Sequence, residues 1–143
     1  MTARPSMTFD EMAALHARAF PPDRAWSAAD LEQLSAPPYG HVITHSDAGF
    51  LIARLMFDEA ELLTICTDPA QQRRGIARSI LAQLYATCAA QTVARIFLEV
   101  GRTNVSAVGL YTAEGFEKIS ERRAYYTSAS GHRDDALILC KSL

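Results

Sequence analysis

LLTICTDPAQQRRGIARSIL, residues 62–81, joins a β-like run to an amphipathic segment through a turn with two adjacent arginines and one glycine. Leu62–Thr67 reads as a strand that Asp68-Pro69 ends. From Gly75 to about Ala90 the residues Ile76, Ile80, Leu84 and Cys88 recur along one face, which predicts the strongest helix of the chain. That helix starts without a Ser or Thr cap, so its first backbone N–H groups are open to an anion, which the helix dipole also favours. Gly75 lets a ligand approach the backbone closely, and the small Ala77 keeps the next turn uncrowded. The N–H groups of roughly residues 73 to 78 then converge on one point, with Arg73, Arg74 and Arg78 around it. A bound phosphate fits this strand–turn–helix unit; so does an uncapped helix ringed by solvated arginines. Neither GxxxxGK[ST] nor GxGxxG is present, which removes the usual NTPase and dinucleotide readings.

Outward from this unit the periodicity changes several times. Thr8-Phe9-Asp10-Glu11 is a capping box, followed by Met12, Leu15 and Ala19 at helical spacing until Pro21-Pro22. A second short helix begins at Ser27 and stops before Pro37-Pro38, with Leu31 and Leu34 turned inward. His41–His45 and Phe50–Phe57 read as strands joined by the turn at 46–49. Beyond the strong helix, Arg95–Val100 is a strand whose Ile96-Phe97-Leu98 centre has the continuous apolar character of a buried parallel strand. Ser106–Glu114 is a short helix with Gly115 as its C′ residue. Strands near Phe116–Tyr126 and Asp134–Lys141 flank a turn at 128–131. The order ααβββαβαββ is α/β with a mixed sheet. The whole chain, 1–143, reads as one domain with residues 1–7 as a loose tail.

Composition excludes several classes. Hydrophobic residues make up 49% and charged residues 21%, the balance of a folded protein, and no apolar stretch has the length of a membrane span. No signal-type apolar segment opens the chain. A net charge of −2 argues against nucleic acid as a partner, which calls for a basic face. The three cysteines, Cys66, Cys88 and Cys140, lie singly in apolar runs and read as small hydrophobes in a reducing cytoplasm. The histidines at 16, 41, 45 and 132 have no companions at metal spacing, so no metal is expected; His41 and His45 share a face of a probable edge strand and read as solvated.

IFLEVGRTNVSAVGLYTAEGF, residues 96–116, places a carboxylate in an apolar strand. Glu99 is either a solvated strand end or a general base in a cleft, its pKa raised by apolar neighbours. Asn104 is suited to cap the helix that follows. Tyr111, two helical turns later and on nearly the same face, is either core or a proton donor to the same groove.

Taken together, these residues resemble the GNAT superfamily of acetyl-CoA-dependent N-acetyltransferases. Gln72-Arg73-Arg74-Gly75-Ile76-Ala77 is similar to its pyrophosphate motif, (Q/R)xxGx(G/A), in register with Leu98-Glu99-Val100, Asn104, Leu110-Tyr111 and Gly115-Phe116. The stretches FPPDRAWS, RRAYY and DDALIL extend the resemblance over about residues 8 to 140, towards the branch that acetylates the N-terminal alanine of a ribosomal protein. The resemblance implies a mixed, twisted sheet that splays near its middle, flanked by helices, with acetyl-CoA in the split. It implies backbone bonds from Ile65, Cys66 and Thr67 to the acetyl and pantetheine portions. It implies residues 73–78 on the pyrophosphate, Asn104 on the pantetheine arm, Glu99 as base and Tyr111 as acid.

The sequence departs from the family pattern on the acceptor side. Gly101, followed by Arg102, stands where an arginine usually follows the LEV stretch. Thr127 stands where proline often follows the paired tyrosines, the turn before DDALIL is one residue longer, and PPDRA expands the front loop.

Chemistry separately favours an α-amine as acceptor. An amine attacks a thioester only when neutral; with a pKa near 8, about a tenth of an α-amine is neutral at pH 7, against roughly a few molecules per ten thousand for lysine. The partners expected are therefore acetyl-CoA and the N-terminus of an acceptor protein, which the resemblance implies is ribosomal, with neither nucleic acid nor membrane. A small amine or another protein as acceptor, or a non-catalytic acetyl-CoA-binding module, are the alternatives.

Overall fold

Two capping boxes start the chain's structure. The computed structural model describes residues 7–22, 24–72, 74–127, 131 and 133–143. Helix α1 (Phe9–Ala19) opens on Thr8, whose hydroxyl accepts from the Glu11 N–H at 3.1 Å, and the Glu11 carboxylate accepts from the Thr8 N–H. Helix α2 (Ala28–Leu34) opens in the same way on Ser27 and Asp30. Strands β1 (Gly40–His45), β2 (Gly49–Met56) and β3 (Glu59–Thr67) follow, then a short 3₁₀ turn (Pro69–Gln71) and α3 (Ile76–Ala90). Strand β4 (Arg95–Gly101), α4 (Val105–Ala113), β5 (Glu117–Thr127) and β6 (Arg133–Ser142) complete the order. Every predicted helix and strand is present, and β3 begins earliest against expectation, at Glu59 rather than Leu62.

The six strands form one mixed sheet in the order β1-β2-β3-β4-β6-β5. Only the β3–β4 pair is parallel. His41 and His45 lie on β1, an edge strand as expected. Gly115, at φ +93°, closes α4 as its C′ residue, with the Phe116 N–H donating to the Tyr111 carbonyl at 2.9 Å. The turn foreseen at 128–131 falls outside the described residues except for Gly131.

Two apolar layers cover the sheet. Against α3 and α4 lie Leu51, Ala53, Leu62, Ile80, Leu84, Cys88, Ile96, Leu98 and Tyr111. Against α1 and α2 lie Met12, Leu15, Leu31, Phe50, Ile52 and Cys66. The first layer confirms the inward face of α3; the second takes in Met7, the last residue of the stretch read as a loose tail, whose residues 1–6 lie outside the described residues. Met7 is buried in the α1/α2 layer with Met12, its partner position in a hydrophobic staple. Strand β4 also differs from expectation. Ile96, Leu98 and Val100 are buried beneath the helices, but Phe97 is half-buried and Glu99 exposed, because α1 and α2 do not extend over that part of the opposite face.

A bulge shapes the middle of the sheet. Ile52 pairs with Thr64 and Ala53 with Leu62, which leaves Leu63 extra on β3. Before it, Ala60 and Leu62 point to the α3/α4 layer; after it, Ile65 points there, while Thr64 faces α1 and Cys66 joins the α1/α2 layer. One inserted residue thus reverses the strand's inward and outward phase.

His16 ties α1 to this strand. Its Nδ1 accepts from the Trp26 N–H at 3.3 Å and its Nε2 lies 3.4 Å from the Thr64 hydroxyl, with Phe20 stacked on the ring at 4.1 Å. Burial holds its pKa below the ordinary 6.5. A lowered histidine pKa means that the unfolded chain takes up the proton first, so stability falls as pH drops below 6.5 through the folded value. Protonation would also set an Nδ1–H against the Trp26 N–H. Urea unfolding between pH 7 and 5 should therefore show a loss of stability that His16→Gln lacks; parallel curves for the two proteins would remove His16 as the cause.

Candidate active site

Strands β3 and β4 part company at one point. Their parallel pairing runs from Glu59 with Arg95 to Leu62 with Leu98 and stops there, at the Leu63 bulge. Strand β3 continues to Thr67, paired with β2 alone; β4 continues to Gly101, paired with β6 alone. The edge of β3 facing β4 over residues 63–67 consequently has no strand partner, and backbone N–H and C=O groups demand one. The splay implied by the sequence resemblance is this opening. Ile65 packs on the α3/α4 layer and Cys66 is buried in the other, where burial pushes its thiol up to about 12. With those side chains engaged, what Ile65, Cys66 and the half-buried Thr67 can offer the opening is main chain.

The turn after β3 leads to the start of α3. Asp68 caps the 3₁₀ turn by accepting from the Ala70 N–H at 3.0 Å, and Arg18 lies 3.4 Å from its carboxylate. Gly75 is the N-cap of α3 at φ +74°, a left-handed conformation that glycine adopts without penalty, and no side chain caps the helix. The first intrahelical bond is from the Ser79 N–H to the Gly75 carbonyl at 3.0 Å, so the N–H groups of Ile76, Ala77 and Arg78 precede it. Ile76 is buried and anchors the helix start, Ala77 is half-buried, and Arg74 and Arg78 are exposed. Arg73 lies outside the described residues. The arrangement fits an anion held mainly by backbone, with the exposed Arg74 and Arg78 adding positive charge nearby.

Among the described residues nothing occupies the space where a Cβ on Gly75 would stand, so a substitution there acts through the backbone angle and by filling the approach to the N–H groups. Gly75→Val should weaken acetyl-CoA binding tenfold or more, about 1.4 kcal/mol per decade, while Arg74→Ala costs less. Titration calorimetry showing normal binding for Gly75→Val and none for Arg74→Ala would make this a side-chain site instead.

Glu99 is the first β4 residue beyond the last β3–β4 pair. It is exposed, the first of the two settings that the sequence left open, and its carboxylate accepts a hydrogen bond from the Tyr126 hydroxyl at 3.1 Å. Burial first, then the negative Glu99, pushes the Tyr126 phenol up to about 12, so it stays protonated and donates. Strand β5 delivers this tyrosine through a second bulge: Arg122 pairs with Ala136 and Tyr126 with Asp134, leaving 123–125 opposite Asp135 alone. Ala124 takes φ +52° there, and its N–H donates to the Asp135 carboxylate at 2.7 Å. The cation of Arg24, from the α1–α2 loop, lies 4.5 Å from the Tyr126 ring centre.

Tyr111 enters from the other face. It is 5% exposed, packed edge-on to Phe116 at 5.6 Å, and burial raises its pKa well above the ordinary tyrosine value. Asn104 caps α4, its side-chain oxygen accepting from the Ala107 N–H at 3.2 Å, and is exposed. Its amide NH₂ is not used by that cap. Glu99 and Tyr111 thus lie on opposite sides of the sheet. Tyr126 and Arg24 escaped residue-by-residue reading; the stretches RRAYY and FPPDRAWS held them, but only the folded chain joins the two.

Among the described residues no cluster of histidine, cysteine or acidic side chains is placed to hold a metal, and no helix is long and apolar enough to cross a membrane. Cys66, Cys88 and Cys140 are free thiols.

Comparison with known proteins agrees with this fold. The model of the acetyltransferase (GNAT) family matches residues 9–116. The [ribosomal protein bS18]-alanine N-acetyltransferase of Salmonella typhimurium is 40% identical over 92 residues, 64% of this chain and 62% of that protein, so the match spans less than two thirds of the relative's own length. The N-alpha-acetyltransferase RimI of Mycobacterium tuberculosis is 34% identical over 122 residues, 80% of this chain and 75% of the other. The crystal structure of the ribosomal-protein-S18-alanine N-acetyltransferase from Escherichia coli superposes with a TM-score of 0.86 at 28% identity, covering 99% of this chain and 91% of that one.

Proposed function

Because the chain belongs to the acetyltransferase (GNAT) family, we propose that it transfers an acetyl group from acetyl-CoA to the α-amine of a protein N-terminus, the acceptor being a ribosomal protein that begins with alanine. One observation carries the reading. A carboxylate, Glu99, stands where β3 and β4 separate, on the strand beside an unpaired backbone edge and an uncapped helix start. The edge and the helix start suit the amide-rich arm and the pyrophosphate of acetyl-CoA; the carboxylate suits the reacting end. The named activity of the similar bS18-alanine acetyltransferases supports the choice of acceptor.

In this reading the neutral amine attacks the thioester carbonyl. The C–N bond forms and the C–S bond breaks; the surplus amine proton passes to Glu99, directly or through water, and Tyr111 gives a proton to the departing thiolate. Tyr111 suits the second role because its raised pKa keeps the hydroxyl protonated at neutral pH. Glu99 suits the first because an α-amine needs only modest help from a base. Access also favours a chain end over a small amine: Glu99 borders an open groove of about 520 Å³ lined by Arg54, Phe57, Glu61, Phe97, Arg122 and Ile138, not a closed chamber. Free CoA should appear with peptides bearing a free N-terminal alanine and not with simple primary amines. The reverse preference would replace the acceptor, and acetyl-CoA binding without CoA release on any amine would leave a binding module.

A further inference from the structure

The α1–α2 loop is pinned at its base and at its tip. At the base, the Trp26 N–H donates to His16 Nδ1 at 3.3 Å, and the Arg24 N–H donates to the Pro21 carbonyl at 2.9 Å. At the tip, the Arg24 guanidinium lies over the Tyr126 ring, 4.5 Å from its centre, and that ring's hydroxyl donates to Glu99 at 3.1 Å. Gly101 lies beside the guanidinium, and what requires glycine there is Asp134. A Cβ at position 101 would lie 2.5 Å from Asp134 Oδ2 and 3.6 Å from Arg24 Nη1. Asp134 has little room to yield, since it is buried and accepts from the Thr103 hydroxyl at 2.8 Å and the Thr103 N–H at 3.3 Å. Gly101 and the enlarged PPDRA loop are two of the points at which the sequence departs from its family pattern. In the folded chain they meet.

We propose that Arg24 is a positioning residue for the transfer reaction: passing beside Gly101, it clamps Tyr126 so that the phenol stays on Glu99 and the carboxylate faces the incoming amine. Tyr126 is the penultimate residue of β5, just beyond the bulge, and little of β6 remains alongside it to fix its ring. A cation on the ring face supplies that restraint without competing for the hydroxyl. The inference rests on the acetyl-transfer reading of the site.

Its test is a double-mutant cycle on the full chain with Arg24→Ala and Tyr126→Phe, read as kcat/KM for an alanine-initiated peptide and as acetyl-CoA affinity. Arg24→Ala should lower kcat/KM about tenfold with acetyl-CoA affinity unchanged, and Arg24→Lys, which keeps a cation, should recover part of the loss. In the Tyr126→Phe background, which lacks the hydroxyl, removing Arg24 should cost less than about twofold. Losses that multiply independently, or an Arg24→Ala enzyme with wild-type kcat/KM, would overturn the proposal. A second cycle, in urea unfolding with Arg24→Ala and Tyr126→Ala, reads the clamp without any turnover. A coupling of roughly twofold to fivefold in the unfolding constant is expected for a cation on an aromatic face, and no coupling overturns the clamp. If the wild-type protein shows that coupling and acetylates no amine, the acetyl-transfer reading fails, and the positioning role fails with it while the contact stands.

Discussion

Tyr111→Phe should lower turnover roughly a hundredfold and leave acetyl-CoA affinity unchanged, the loss typical of removing a general acid. The substitution deletes one hydroxyl and almost no volume. The ring keeps its burial among the α3/α4 core residues and its edge contact with Phe116, so the fold is preserved. What disappears is the proton. Burial holds this phenol's pKa above its ordinary value, so across neutral pH the wild-type group keeps its proton and can donate it. Without it the thiolate must leave unprotonated or take a proton from water. Steady-state rates together with a single-turnover measurement decide the matter. An unchanged single-turnover rate would make Tyr111 ordinary packing.

The second large effect is expected at Glu99. Glu99→Gln keeps the side chain's shape and an oxygen that accepts from Tyr126, but it cannot take a proton. Turnover should fall by about tenfold to a hundredfold near pH 7 while acetyl-CoA binding persists. The pH dependence carries the argument. As pH rises towards the α-amine's pKa near 8, more acceptor arrives neutral and less help is needed from a base, so the variant should regain part of its deficit. A structural role predicts a deficit that is the same at every pH. Two parallel pH–rate curves would therefore exclude Glu99 as the base.

How much of this was legible in the sequence depended on how far apart the interacting residues are. The strand–turn–helix at 62–81 was readable because its signals are local: an apolar run, Asp68-Pro69, the missing cap and the spacing of Ile76, Ile80, Leu84 and Cys88. The left-handed angle at Gly75 agrees with the need for glycine there. The bulge at Leu63 was not readable, because two adjacent leucines fit either phase of a strand and only pairing with Ile52 and Ala53 decides between them. Glu99 was legible on its strand, but the sequence left its setting open between solvent and an apolar cleft, because whether a helix covers that face is a tertiary fact. Met7 was misread for a related reason, since a lone methionine before a cap says nothing about the layer it joins. Arg24 and Tyr126 lie at opposite ends of the chain, and the bulge that aims Tyr126 is fixed by Asp135 from a third segment. No local pattern could have joined them.

The central claim is that this opening in the sheet delivers an acetyl group to a protein's N-terminal amine. Its most direct measurement is to incubate the protein with acetyl-CoA and a library of peptides that vary at the first residue and contain internal lysines, then to locate the added acetyl group by fragmentation mass spectrometry. The account predicts acetylation on the α-amine, favouring peptides that begin with alanine, with lysine side chains untouched. Acetyl groups on lysines with free α-amines left unmodified would contradict it.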